Sequence, residues 1–230
     1  MQSTTALLKP SDLAAYIDHT LLKPEATEAD VRKLCEEARL HSFKAVCVNP
    51  IYVAKTREWL AGSDVLTAAV VGFPLGSHLS KVKALEAELC VADGAHEIDM
   101  VMRIDLAREK RWRELEADIA AVVRAAGKSG VKVIFETGLL DSAAIIEACK
   151  ASEQAGAAFV KTSTGFLGRG ATVEDVLLMR KSCSMKVQIK ASGGVKTFEQ
   201  AQAMIEAGAT RIGTSSGVAL VTGTQAGSGY

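Results

Sequence analysis

Two lysines stand where a lysine has chemical work to do. Lys161 closes the apolar run Ala158-Phe159-Val160, and Lys190 closes Val187-Gln188-Ile189. A free lysine titrates near ~10.4, so only about one in 10³ is a neutral nucleophile at pH 7. A second ammonium about 4 Å away costs the charged form on the order of 4 kcal/mol at an effective dielectric of about 20. That lowers one of the two pKa values by roughly three units, toward neutrality. One amine then attacks carbonyl carbon and forms an imine, while the other stays a cation. The residues alone leave open which is which. Asp99, in Glu97-Ile98-Asp99-Met100-Val101, supplies a carboxylate to hold the remaining ammonium and relay protons with it. Lys132 and Lys186 precede their apolar runs, which predicts solvated positions at the far rim.

Small residues suggest where an anion binds. Gly193-Gly194 follows the run ending at Lys190, and Gly213-Thr214-Ser215-Ser216-Gly217 follows Arg211-Ile212. Glycines and serines let backbone N–H groups approach a phosphate. Gly165, after Ser163-Thr164, adds a third edge. The four histidines and five cysteines form no metal-ligand spacing, and there is no G-x-G-x-x-G or P-loop, so no metal and no cofactor is expected.

These side chains need a frame. Apolar runs at Ala45–Val48, Leu66–Gly72, Glu97–Met102, Val131–Glu136, Ala158–Thr162, Val187–Ala191 and Arg211–Thr214 read as strands covered on both faces. Tyr16–Leu22 is a weaker eighth, with the polar centre Asp18-His19-Thr20. Helical segments lie between them. Thr27, Thr172 and Thr197 open capping boxes or close variants, and Asp141 caps the segment from Ser142. Leu79, Val82, Leu85 and Leu89 recur at helical spacing, as do Leu115, Ile119 and Val122. Gly-Ala recurs before a strand at Gly94, Gly156 and Gly208, a reused turn.

Eight βα units in 230 residues predict a single α/β domain, a (β/α)₈ TIM barrel over 1–230, rather than a doubly wound sheet. The Gly/Ser-rich tail Thr222–Tyr230 is expected to be flexible. In such a barrel the strand C-termini face the site. They present Asp18 and Thr20, Cys47 and Asn49, Asp99, Glu136 and Thr137, Lys161 to Ser163, Lys190 and Ser192, and Thr214 to Ser216.

Composition narrows the partners. The formal net charge is zero, which argues against nucleic acid and anionic membranes, and no apolar run reaches the roughly 20 residues that span a bilayer. Cys35, Cys47, Cys90, Cys149 and Cys183 are odd in number and scattered, which fits a reducing cytoplasm rather than a disulfide framework.

The motifs Asp18-His19-Thr20-Leu21-Leu22-Lys23-Pro24, Val71-Gly72-Phe73-Pro74-Leu75-Gly76, Phe159-Val160-Lys161-Thr162-Ser163-Thr164-Gly165 and Ile189-Lys190-Ala191-Ser192-Gly193-Gly194 together resemble the deoxyribose-phosphate aldolases. The resemblance runs over nearly the whole chain. It implies reversible cleavage of 2-deoxy-D-ribose 5-phosphate to D-glyceraldehyde 3-phosphate and acetaldehyde, by a homodimer whose only other partners are small phosphosugar and aldehyde substrates. By position Lys161 resembles the Schiff-base lysine, Lys190 the neighbouring ammonium and Asp99 the proton-relay carboxylate. Asp18 and Thr20 resemble substrate-contacting or supporting positions, and Gly165, Gly193, Gly194, Ser215 and Ser216 the phosphate contacts. From strand position alone, Thr162 is a further substrate-contacting or supporting candidate, and Cys47 reads first as a small buried apolar residue and second as a thiol near the pocket open to alkylation by reactive aldehydes. Where some relatives carry a phosphate-binding lysine, this chain has Phe166, which leaves backbone donors, serines and Arg169 for that task. Tyr230 matches a C-terminal tyrosine that assists proton transfer in some relatives. Another lysine-dependent phosphosugar aldolase, transaldolase-like, and a non-catalytic phosphosugar-binding barrel are the competing readings.

Overall fold

The structure, a computed structural model, describes residues 8–224. Tyr230 and most of the predicted tail lie outside the described residues. Strands and helices alternate along the chain: β1 (Ile17–Leu21), α1 (Glu28–Leu40), β2 (Ala45–Val48), α2 (Val53–Trp59), β3 (Leu66–Val71), α3 (Ser80–Ala92), β4 (Glu97–Val101), α4 (Ile104–Arg108), α5 (Trp112–Ala126), β5 (Gly130–Ile134), α6 (Ser142–Gln154), β6 (Phe159–Lys161), α7 (Val173–Ser182), β7 (Gln188–Ser192), α8 (Phe198–Glu206), β8 (Arg211–Thr214) and α9 (Gly217–Thr222). The strands pair in parallel in chain order, and β8 pairs β1, closing a TIM barrel.

Local signals account for several element ends. Thr27 and Thr197 form full capping boxes with Asp30 and Gln200. Thr172 accepts from the Asp175 N–H, and Asp141 accepts from the Ala144 N–H at 2.7 Å. The reused Gly-Ala turn takes one form at Gly94, Gly156 and Gly208. Each glycine has positive φ, and the following alanine N–H returns to the carbonyl five residues back, at 2.9, 3.0 and 2.9 Å.

One expectation is corrected here. Lys132 is not solvated: it lies within β5, fully buried, opposite Asp99 of β4. A strand apolar on both faces hides which residues point inward, and residue 132 takes the inner face. The apolar residues at helical spacing on α3 face outward. Leu79, Val82, Leu85 and Leu89 are exposed, while Lys83, Ala87 and Cys90 face the barrel. The buried Lys83 ammonium is held by Asp118 of α5 at 2.6 Å, which rotates the helix that way.

Candidate active site

The barrel interior carries a connected set of charges. Asp18 comes from β1, Glu97 and Asp99 from β4, Lys132 from β5, Lys161 from β6, Lys190 from β7 and Arg211 from β8, and all are buried. At the base, Arg211 donates to Asp18 at 2.7 Å and to both Glu97 oxygens at 2.8 and 3.0 Å. Above it, Lys132 bridges Glu97 at 2.6 Å and Asp99 Oδ1 at 2.8 Å. At the top, Lys161 Nζ and Lys190 Nζ each stand 2.7 Å from the same oxygen, Asp99 Oδ2. Lys190 also donates to Asp18 in a very short contact. Adjacent register explains the meeting of the amines: Lys161 and Lys190 are partners across the β6–β7 ladder.

Electrostatics separates the two lysines. Burial lowers the Lys161 pKa most; Asp99 opposes this and Lys190 reinforces it. The Lys190 pKa is raised, because attraction to Asp18 and Asp99 outweighs its desolvation. Asp18 and Asp99 are held well below the usual carboxylate range against desolvation: Lys190, Lys132 and Arg211 act on Asp18, and Lys132, Lys161 and Lys190 act on Asp99. The neighbouring ammonium is thus a contributor to the low Lys161 pKa, and burial is the larger cause. Charge balance agrees. Asp18, Glu97 and Asp99 oppose Lys132, Lys161, Lys190 and Arg211, so the set is neutral when Lys161 gives up its proton. Access points the same way. Lys161 is 3% exposed and lines a cleft at the barrel mouth, whereas Lys190 is 0% exposed and lies beneath it.

The cleft is lined by Thr20, Leu22, Ser192, Gly194 and Ser215, among others. Thr20 donates to the Asp18 carbonyl at 2.8 Å. Gly165, Gly193 and Gly194 have positive φ and edge the cleft together with Ser215. A Cβ on Gly170 would meet the Gly193 carbonyl oxygen at 2.1 Å, so two loops touch there through backbone alone. Ser216 is absent from the cleft wall, and its N–H is taken by Thr214 Oγ1 at 3.0 Å. Arg169 is occupied as well, in a two-pronged pair with Asp175. Lys196, which the sequence reading passed over, lines the cleft; its place directly after Gly193-Gly194-Val195 was the available signal.

Thr162 is fully buried and bridges β6 to β7, donating to the Ser192 carbonyl and accepting from the Ser192 N–H, both at 3.1 Å. It supports the site rather than facing the cleft. Cys47 is buried in an apolar group with Leu22, Ala68 and Val70, backed by Phe73. Burial pushes its thiol up to about 11, which makes it a poor nucleophile at neutral pH. Among the described residues, no group of histidine, cysteine and carboxylate side chains suits a metal ion, and no helix is long and apolar enough to cross a membrane. Chemically, the arrangement offers one accessible low-pKa amine beside a fixed carboxylate and a fixed cation, with anion-sized glycine loops at the rim.

Comparison with known proteins agrees with this architecture. The model of the DeoC/LacD family of aldolases matches residues 13–222. The deoxyribose-phosphate aldolase of Deinococcus radiodurans is 56% identical over 95% of this chain and 99% of its own length. That of Brevibacillus brevis is 55% identical, over 94% and 98%. A solved deoxyribose phosphate aldolase from Aeropyrum pernix, described as tetrameric, superposes with a TM-score of 0.86 at 36% identity, covering 93% of this chain and 91% of that one.

Proposed function

Because the chain belongs to the DeoC/LacD family of aldolases, we propose that Lys161 is the imine-forming amine of its deoxyribose-phosphate aldolase reaction. The enzyme is an aldehyde-lyase that reversibly cleaves 2-deoxy-D-ribose 5-phosphate to D-glyceraldehyde 3-phosphate and acetaldehyde. The observation that carries the role of Lys161 is its geometry: a lowered-pKa amine at the floor of the cleft, sharing Asp99 Oδ2 with a raised-pKa ammonium below.

The neutral Lys161 Nζ attacks C1 of the open-chain sugar, and loss of water leaves a cationic iminium. That cation stands beside the ionised Asp99, which stabilises it at 2.7 Å from the nitrogen. The C3 hydroxyl passes its proton to the Asp99 relay, the C2–C3 bond breaks, and its electron pair moves toward the iminium nitrogen. C3 leaves as the aldehyde carbon of glyceraldehyde 3-phosphate. The remaining enamine takes a proton at C2, and water hydrolyses the imine to acetaldehyde and free Lys161. Asp99 touches both amines through one oxygen, the shortest proton path between them. The backbone at Gly165, Gly193 and Gly194, with Ser215 and Lys196, receives the phosphate. No step calls for a cofactor.

Two further readings go with this one. The outward stripe of Leu79, Val82, Leu85 and Leu89 on α3 supports a homodimer. The unpaired cysteines support a cytoplasmic location. The imine assignment is tested by incubation with acetaldehyde and borohydride, followed by peptide mass spectrometry. The expected result is a two-carbon alkyl addition on Lys161. Addition on Lys190 or elsewhere would falsify it, and a protein left unmodified would favour a binding-only barrel.

A further inference from the structure

Glu136 stands outside the chemistry above, yet its setting is unusual. It follows β5 with φ 55° and ψ 61°, the left-handed region that a residue with a side chain seldom occupies. It is fully buried. One carboxylate oxygen, Oε2, accepts the Thr164 N–H at 3.1 Å and the Thr164 hydroxyl in a very short contact. The other, Oε1, is buried without a hydrogen-bond partner, as is the hydroxyl of neighbouring Ser163. Burial raises the Glu136 pKa, opposed by the Thr164 bonds and by the charge of Lys161. A strained backbone and an unsatisfied buried oxygen both cost stability, and such costs gather at functional sites.

The bonds lead to the cleft. Thr164 Oγ1 donates to Glu136 and accepts the Phe166 N–H at 3.1 Å, so the two contacts bracket Gly165. Gly165 in turn lies against Gly193: a Cβ on Gly193 would stand 3.4 Å from the Gly165 Cα. The next residue, Thr137, ties the same loop a second time, donating to Asp175 at 2.9 Å while Asp175 pairs with Arg169. The turn after β5 therefore braces the loop after β6, and that loop braces the loop after β7.

We propose that Glu136 is a positioning residue for the phosphate end of the substrate: by clamping Thr164 it sets Gly165 against Gly193, and so sets the backbone donors that hold the anion. This rests on the reading that phosphate binds at that rim. The clamp acts through its two bonds to Thr164 at the phosphate end, and the unphosphorylated sugar reports separately on the amine chemistry at Lys161. Gln can keep both Thr164 bonds through its side-chain oxygen, whereas Ala keeps neither.

The test compares wild type, Glu136→Ala and Glu136→Gln on 2-deoxyribose 5-phosphate and on unphosphorylated 2-deoxyribose, with inorganic phosphate as inhibitor. In the alanine variant, KM for the phosphorylated sugar and the inhibition constant of phosphate are each expected to rise about tenfold, as for one lost charge-assisted hydrogen bond. Turnover of 2-deoxyribose stays at the wild-type level, and the glutamine variant recovers the phosphate-dependent terms. An equal loss on both sugars, unchanged phosphate inhibition in the alanine variant, or a glutamine variant as impaired as alanine overturns the proposal. If Glu136→Ala does not fold, Thr164→Val cuts the same clamp from its other end and must produce the same split between substrates. Wild-type enzyme that phosphate does not inhibit overturns the rim reading itself, an outcome separate from the behaviour of the variants.

Discussion

Replacing Lys190 with methionine isolates the electrostatic part of the mechanism. The two amines share Asp99 Oδ2 at 2.7 Å each, and Lys190 is the nearer to Asp18. Two positive charges about 5 Å apart repel by about 3 kcal/mol at an effective dielectric of about 20. That is roughly two pKa units. Removing the ammonium also leaves Asp18 and Asp99 less compensated, which draws a proton onto Lys161 and acts in the same direction. The Lys161 pKa should therefore rise by about two units, and its neutral fraction at pH 7 should fall about a hundredfold. The assay is the rate of acetaldehyde imine trapping by cyanoborohydride, measured from acid to alkaline pH. The expected profile is displaced upward by about two units and regains the wild-type rate once pH exceeds the new pKa. A wild-type rate at pH 7 with an unmoved profile would refute the argument and leave burial as the sole cause of the low pKa. A loss equal at every pH would refute it differently, by showing that Lys190 serves another step.

Lys132→Met removes a buried cation from between Glu97 and Asp99, at 2.6 and 2.8 Å. Stability should fall by about 3–5 kcal/mol, read from urea unfolding, and an unchanged midpoint would contradict the buried pairing. Asp18 and Asp99 have folded pKa values below their unfolded ones, so below about pH 4 the unfolded chain binds more protons and stability declines as pH falls. Asp18→Asn should flatten that decline between pH 5 and pH 3, and a slope equal to wild type would show that Asp18 contributes nothing to it. Glutamates at Leu85 and Leu89 place charge on the outward face of α3. On the homodimer proposal, light scattering should report two chains for wild type and one for the double variant, and a dimer that survives both changes would move the interface elsewhere.

The barrel is legible in the sequence because its signals are local. Alternating apolar runs and capped helices, with the same Gly-Ala turn three times, need only near neighbours to be read. The position of Lys161 at the end of β6 is legible for the same reason, since a parallel barrel presents its strand C-termini to one mouth, whereas Lys190 and Asp99, expected at strand ends, lie in the middle of β7 and β4. Strand bounds shift by up to about two residues, within the ordinary uncertainty of element ends. After Ile134 the cause is visible, since the left-handed backbone at Glu136 breaks the ladder.

What only the tertiary structure decided depends on contacts through space. Lys132 turns inward because residue 132 takes the inner face of a strand whose two faces are both apolar, a choice that composition does not reveal. Arg169 is drawn into a pair because Asp175 lies within reach of it. The outward stripe of α3 follows from Lys83 finding Asp118, 35 residues away. The difference between Lys161 and Lys190 has the same origin. Each follows a short apolar run, and in sequence terms they look alike. Lys190 has Asp18 of β1 beside it and no opening to solvent; Lys161 has the cleft above it and shares its one carboxylate. A pKa sums burial and the charges around it, and those charges arrive from strands distant along the chain. Residue type and spacing made the pair visible, and the closing of the barrel gave the two amines different surroundings, with one at the cleft and the other beneath it.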